Sequence, residues 1–341
     1  VISTAPIDGT SNELCDWLEL AVLASSTGRA LLSAVNLELE IEADFEPTDI
    51  ATEDEQRERR IQQVLLAIEE RGQSMPTAYP FERDKDYLVL RKEPTNGGVV
   101  YLFCLIVSNG AANGLLHGEK SWQPDLARAR ALFQACATVS AAGYVHGPSY
   151  SVGWPRPDSS SFLDKLKTVY AHFGDGRPHI TRPTWAPVNV KDDEIDVIAW
   201  KYQPDGQGGT TYLIVQAASG NDWREKSVKS AIDVFHKTWF LQIPSIDASP
   251  GIAIPFLLPS KVDADPHDHN KQEELAGQVW RTASKMGVLL FRHRIANCTD
   301  IAAKLSADGI SPIEQLDEIP NIRAYVEEYR ARLQEAKEAF G

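Results

Sequence analysis

The sequence predicts a mixed α/β protein of α+β character, with a mixed sheet and flanking helices in one unit and a separate α+β unit before it. Three observations predict this. The chain has 341 residues, more than one hydrophobic core usually organises. Helix-period and strand-period stretches alternate along it without an internal repeat. Between residues 195 and 236, two short apolar strands joined by a Gly-rich turn run directly into a helical stretch.

The elements follow in chain order. Thr10 and Glu13 form a capping box ahead of an apolar face made by Leu14, Trp17, Leu18, Ala21 and Val22, which predicts a helix over 10–25. Leu37, Leu39 and Ile41 alternate with glutamates as in a half-exposed strand. A helix over 53–71 is signalled by Thr52 and Glu55, by the stripe Ile61, Val64, Leu65 and Ile68, and by Gly72 as a stop. Tyr87–Lys92 and Val99–Val107, separated by Asn96-Gly97, read as a β-hairpin. Residues 1–120 thus form an N-terminal α+β domain suited to partner or substrate recognition. A Gly- and Asn-rich connection follows, and Asp125–Val145 and Ser160–Phe173 read as helices, the second ended by Gly174.

Ile195–Lys201 and Thr211–Ala217 have strand period around the Gly206–Gly209 turn, and Gly220 precedes a helix running to about His236. Ile252–Leu258 and Val288–His293 read as strands separated by a helix over Gln272–Lys285. Residues 121–310 are therefore expected to form one domain. Residues 311–341 end in an amphipathic helix with Ile322, Val326, Tyr329 and Leu333 on one face.

A hydrophobic fraction of 43% and a charged fraction of 24% exclude long disordered tracts. Cys15, Cys104, Cys136 and Cys298 lie far apart, which excludes a paired-cysteine zinc site and points to buried thiols in a reducing compartment. The longest apolar run, Val99–Val107, is too short to span a bilayer, and the chain opens on no basic-then-apolar leader. A cytoplasmic location without membrane contact is expected. The formal net charge of −14 argues against a nucleic-acid partner only if it is spread evenly. It is not: residues 38–60 hold ten acids and three bases, whereas residues 161–240 hold ten of each. The acidic stretch suits a protein partner.

Chemistry concentrates in that neutral stretch. Asp196 falls inside a strand pattern flanked by Ile195 and Val197, where a carboxylate is costly unless it is paired or binds a cation. Gln216 is a polar residue in the next apolar strand, and a tight hairpin brings the two to one end of the sheet. A hard cation such as Mg²⁺ or Mn²⁺ takes one or two carboxylates, further oxygens and water, so Asp196, the Gln216 amide oxygen and a backbone carbonyl form a suitable set. Lys226, in the first turns of the next helix, would reach back toward the strand end, with Lys229 as substitute. The alternative is a buried Asp satisfied by backbone amides and a Gln making a core hydrogen bond. Asp265-Pro266-His267-Asp268-His269 reads as an exposed loop rather than a metal site, and Arg292 and Arg294 either as phosphate contacts or, equally, as surface charges at a strand end.

Asp196, nineteen intervening residues and Gln216 within Tyr-Leu-Ile-Val-Gln-Ala-Ala-Ser-Gly-Asn-Asp-Trp-Arg-Glu-Lys resemble the Mrr-like, glutamine-containing branch of the PD-(D/E)XK restriction-endonuclease superfamily. The resemblance covers roughly residues 160–295. It implies a core of helix, three strands, helix and strand, with the first strand near Thr184–Val190 and Asp164 as a weak match to an acid on the preceding helix. Ala218 stands where that pattern has Lys, and the lysine role passes to Lys226, as in members whose lysine has moved to the following helix. The implied activity is metal-dependent endonucleolytic hydrolysis of phosphodiesters, of DNA in the first place with RNA as the alternative, in restriction or anti-phage defence. An ATPase or helicase partner, or a homo-oligomer, fits that setting. The second reading keeps the fold as a catalytically weak or inactive recognition or scaffold subunit of a defence complex.

Overall fold

The computed structural model describes residues 2–36, 50–110, 114–117, 125–188 and 193–340. The chain divides into two compact units, one assembled from Val1–Asp125, Phe256–Trp280 and Arg323–Gly341, the other from Leu126–Pro255 and Arg281–Ile322. The class is mixed α/β with a mixed sheet. No helix of the described residues is long and apolar enough to cross a membrane.

In the first unit, α1 (Ser11–Ala24) starts as its sequence predicts: the Thr10 hydroxyl accepts the Glu13 N–H, and the Glu13 carboxylate accepts the Thr10 N–H. β1 (Arg29–Leu31), β2 (Phe81–Asp84) and β3 (Tyr87–Leu90) form an antiparallel sheet in the order β1-β3-β2. Between them, α2 (Ile50–Ser74) begins two residues ahead of Thr52 and runs through Gly72, so neither residue marks an end. The strand expected over Leu37–Ile41 lies outside the described residues.

The expected hairpin is replaced. Val99–Val107 lies within a helix, α3 (Asn96–Asn109), and β3 pairs with β2 instead. The Thr95 side chain accepts the Gly98 N–H, so the Asn96-Gly97 pair opens a helix rather than turning a hairpin. Residues 99–107 are buried throughout, and a helix buried on all sides carries no 3.6-residue polarity period to distinguish it from a buried strand.

The second unit contains α4 (Leu126–Val145), β4 (Ser149–Ser151), α5 (Phe162–Phe173), β5 (Arg177–Pro178), β6 (Val197–Trp200), β7 (Tyr212–Ala217), α6 (Val228–Trp239), β8 (Phe240–Gln242) and β9 (Ser249–Ala253). β10 (Val288–Leu290) and α8 (Arg292–Ala307) belong to it as well, whereas most of α7 (His269–Met286) and of α9 (Ile319–Phe340) belongs to the first unit. Five strands pair in the order β4-β6-β7-β9-β10, antiparallel from β4 to β7 and parallel from β7 to β10. The antiparallel pair β6–β7 needs only its Gly-rich turn, whereas each parallel pair is joined by a helical crossover, α6 and then α7.

Ile198, Trp200, Tyr212 and Ile214 form a core with Phe162, Leu166, Val169 and Phe173 of α5 and Val228, Phe235 and Trp239 of α6. Each such large side chain removed from water contributes roughly 1.5–3 kcal/mol. α4 packs closely on α8, and Gly143 is the residue that permits it: a Cβ there would lie 1.9 Å from the Cys298 carbonyl oxygen.

The first strand of the sheet is not near Thr184–Val190: residues 184–188 form turns and bends, residues 189–190 lie outside the described ones, and the strand beside β6 is β4. β4 has only three residues after a Gly-Pro pair, too few to show a period. The strand expected over Val288–His293 ends at Leu290, and Arg292 opens α8, with its guanidinium buried and its Nε donating to the Pro255 carbonyl. Arg292 is thus a core residue, not a surface charge. Arg294 donates to the Leu289 carbonyl. All four cysteines are buried thiols.

Lys165 of α5 is almost fully buried and is satisfied by Asp158 Oδ2 at 2.8 Å and Glu314 Oε1 at 2.6 Å. Burial pushes the Asp158 carboxyl up, but hydrogen bonds from Lys165 and Ser160 outweigh it and hold the group at about 2. A depressed carboxyl contributes stability above its ordinary value and loses it as pH falls toward the folded one. The urea midpoint of the wild type is therefore expected to exceed that of Asp158→Asn fully above about pH 4, and the gap to close between pH 4 and pH 2. A pH-independent gap would contradict this.

Candidate functional site

Asp196 directly precedes β6, and its N–H donates to the Val215 carbonyl at 3.1 Å, prolonging the β6–β7 ladder by one step. On its other edge the Asp196 carbonyl accepts the N–H groups of Val152 and Gly153, at 2.8 and 3.0 Å. The backbone is thereby fixed from both sides. The carboxylate closes the end of the ladder, with Oδ2 accepting the Ala217 N–H at 2.9 Å. Asp193 and Glu194, with φ of 50° and 66°, make the tight turn that delivers the chain into this strand.

Gln216 lies on β7 opposite Ile252 of β9. Its amide oxygen is buried and has no hydrogen-bond partner among the described residues. A buried carbonyl oxygen left in that state costs about 1–3 kcal/mol, a cost that a water or a cation taking its lone pair would offset.

Asp196, Gln216 and Lys226 line one cleft of about 510 Å³, together with Arg130 and Gln134 of α4, Trp154, Glu194 and Asp222. The sequence brings together the three residues it singles out, but Lys226 arrives by a different route. Residues Asn221–Glu225 form a 3-10 turn anchored by buried Trp223, and Ser227 is extended at φ −155° before α6 starts at Val228. Lys226 is thus the residue after a turn, not one in the first turns of a helix. Its Nζ is 3.8 Å from Asp222 Oδ2, and its side chain is partly exposed. Lys229 does not line the cleft: its Nζ donates to the Ser284 carbonyl. Ala218 is buried, with its N–H on the Ala253 carbonyl. Asp164 sits elsewhere, bonded to Ser161 and Lys167 at the start of α5.

Comparison with family models, with curated proteins and with solved structures gives no match for this chain. The site therefore stands on its own chemistry.

Two residues that sequence reasoning passed over complete it. Gln134 is nearly buried on an otherwise apolar stretch of α4, and its Nε2 donates to Ser151 Oγ at 2.8 Å. An amide inside Ala-Leu-Phe-Gln-Ala-Cys-Ala is the signal that would have exposed it. Gly153 is the other. A Cβ there would lie 2.3 Å from Asp196 Oδ1 and 2.4 Å from Gln134 Nε2, so only glycine leaves room for both groups to meet at this point.

The donor set can be tested for a metal. Among the described residues, no group of three or more His, Cys, Asp or Glu side chains is placed to hold an ion. A hard cation held by one carboxylate and one amide oxygen, with water or substrate oxygens completing the shell, needs no such group. Asp196 with the orphaned oxygen of Gln216 fits that mode.

Proposed function

We propose that this chain is a metal-dependent nuclease of the PD-(D/E)XK type, acting on DNA. The observation that carries the reading is the buried, unpartnered amide oxygen of Gln216 in the same cleft as the Asp196 carboxylate. A purely structural pair predicts otherwise: Asp196 does accept a backbone amide, but Gln216 makes no core hydrogen bond through its oxygen. The order α4, β4, β6, β7, α6, β9 supports the same reading, since it gives helix, three strands, helix and strand with α5 inserted after the first strand.

Asp196 and Gln216 would hold Mg²⁺ or Mn²⁺, and a bound divalent ion acidifies water and neutralises charge on the phosphoryl oxygens. The chain's own part is positioning. Asp196 is locked by its neighbours on both strands, and Lys226 and Arg130 supply positive charge at the cleft for a phosphate and for the negative charge that grows on it. Gln134, held by Ser151, supports the inner wall.

A second reading, a nuclease fold retained for recognition, is favoured by Ala218 in the position of the usual lysine and by the Asp222 partner of Lys226. One assay separates them. The intact protein is expected to cut single-stranded or plasmid DNA in Mg²⁺ or Mn²⁺, with cleavage abolished by a chelator and restored by added metal. Absence of cutting on plasmid, linear and single-stranded DNA and on RNA, in both metals, would favour the recognition subunit.

A further inference from the structure

Trp154 lines two cavities. One is the Asp196 cleft; the other, about 700 Å³, has an apolar floor that includes the buried Phe162 and Trp239, and is lined as well by the exposed Ile180. Trp154 is 52% exposed, and a cation is held beside its ring. The Arg156 guanidinium is centred 5.2 Å from the ring and is itself fixed by the carbonyls of Ser160 and Val152. The second cavity carries Arg156, Lys167 and Arg182 against a single acid, Asp164, which pairs with Lys167 at 3.0 Å, so a net positive charge is left there in a chain of net charge −14.

A flat exposed aromatic, an apolar floor and a cationic rim are the parts of a stacking site for a nucleobase with its backbone phosphate. A base inside a duplex cannot enter such a cavity without leaving its stack. We infer that the Trp154 cavity receives an unstacked base of a single strand whose neighbouring phosphodiester lies at Asp196. The shared wall is the geometric reason: one ring borders both the base and the reacting phosphate. The inference rests on the nuclease reading for what happens at Asp196, but it makes its own claim about binding. The substrate is then a single strand, a flap or a frayed end, rather than a blunt duplex.

The test is fluorescence anisotropy of the full chain with a labelled short oligothymidylate in chelator, so that binding is read without cleavage. The wild type is expected to bind the single strand at least tenfold more tightly than a blunt duplex. Trp154→Ala is expected to weaken single-strand binding about tenfold, and Trp154→Phe to retain most of it. Lys167→Glu, at a half-exposed position that leaves the core untouched, is expected to weaken binding several-fold and to flatten its salt dependence. Single-strand affinity unchanged in Trp154→Ala and Lys167→Glu, or a duplex that competes as well as the single strand, would overturn the inference. Binding without cleavage would instead count against the nuclease reading alone.

Discussion

Asp196→Ala is expected to reduce metal-dependent cleavage by roughly three orders of magnitude or more, the several kcal/mol that a bound metal supplies to the transition state. The carboxylate has two tasks, however. It closes the β6–β7 ladder through the Ala217 N–H, and it presents charge to the cleft. Asp196→Asn separates them, because an amide oxygen still accepts that N–H while the charge is gone. Both variants are expected to be inactive, with only Asp196→Ala losing stability, by about 1–2 kcal/mol in urea unfolding. An active Asp196→Asn would remove the carboxylate from the chemistry.

The largest effect on stability is expected in the first unit. Arg71 is fully buried and bridges Asp16 and Glu19, each at 2.8 Å, while donating to the Asn12 carbonyl and to the Tyr101 hydroxyl. Glu19 is equally buried and also accepts the hydroxyls of Tyr79 and Tyr101. Arg71→Ala leaves that carboxylate with hydroxyl donors but no cation, a loss of about 3–5 kcal/mol against a typical total of 5–15. Arg71→Lys is expected to recover little, since one ammonium cannot reproduce the planar fork that reaches both acids. The paired change Arg71→Met with Glu19→Gln is expected to recover much of the loss, because it removes the stranded charge. Urea unfolding of the three variants checks the order; a cost below about 1 kcal/mol for Arg71→Ala would show the cluster to be unimportant.

What could be read from the sequence follows from local signals. The box at Thr10 and Glu13, the Gly174 stop of α5, and the β6–β7 hairpin all depend on residues a few positions apart. That Asp196 and Gln216 share one cleft was legible to the same extent, since they stand out as polar residues in apolar strands joined by one turn. What failed depends on tertiary surroundings. Total burial removes the polarity period that would tell the apolar run Val99–Val107, part of helix α3, from a buried strand, and α8 starts at Arg292 without a side-chain cap. Gln134, Gly153 and Trp154 reach the site through the packing of α4 and β4 beside β6, contacts between distant segments that no spacing announces.

Calorimetric titration of Mn²⁺ into the intact wild type and into Asp196→Ala and Gln216→Leu tests the central claim most directly. One ion is expected to bind per chain, not at all to Asp196→Ala, and at least tenfold more weakly to Gln216→Leu. Equal Mn²⁺ binding by all three proteins would contradict the account.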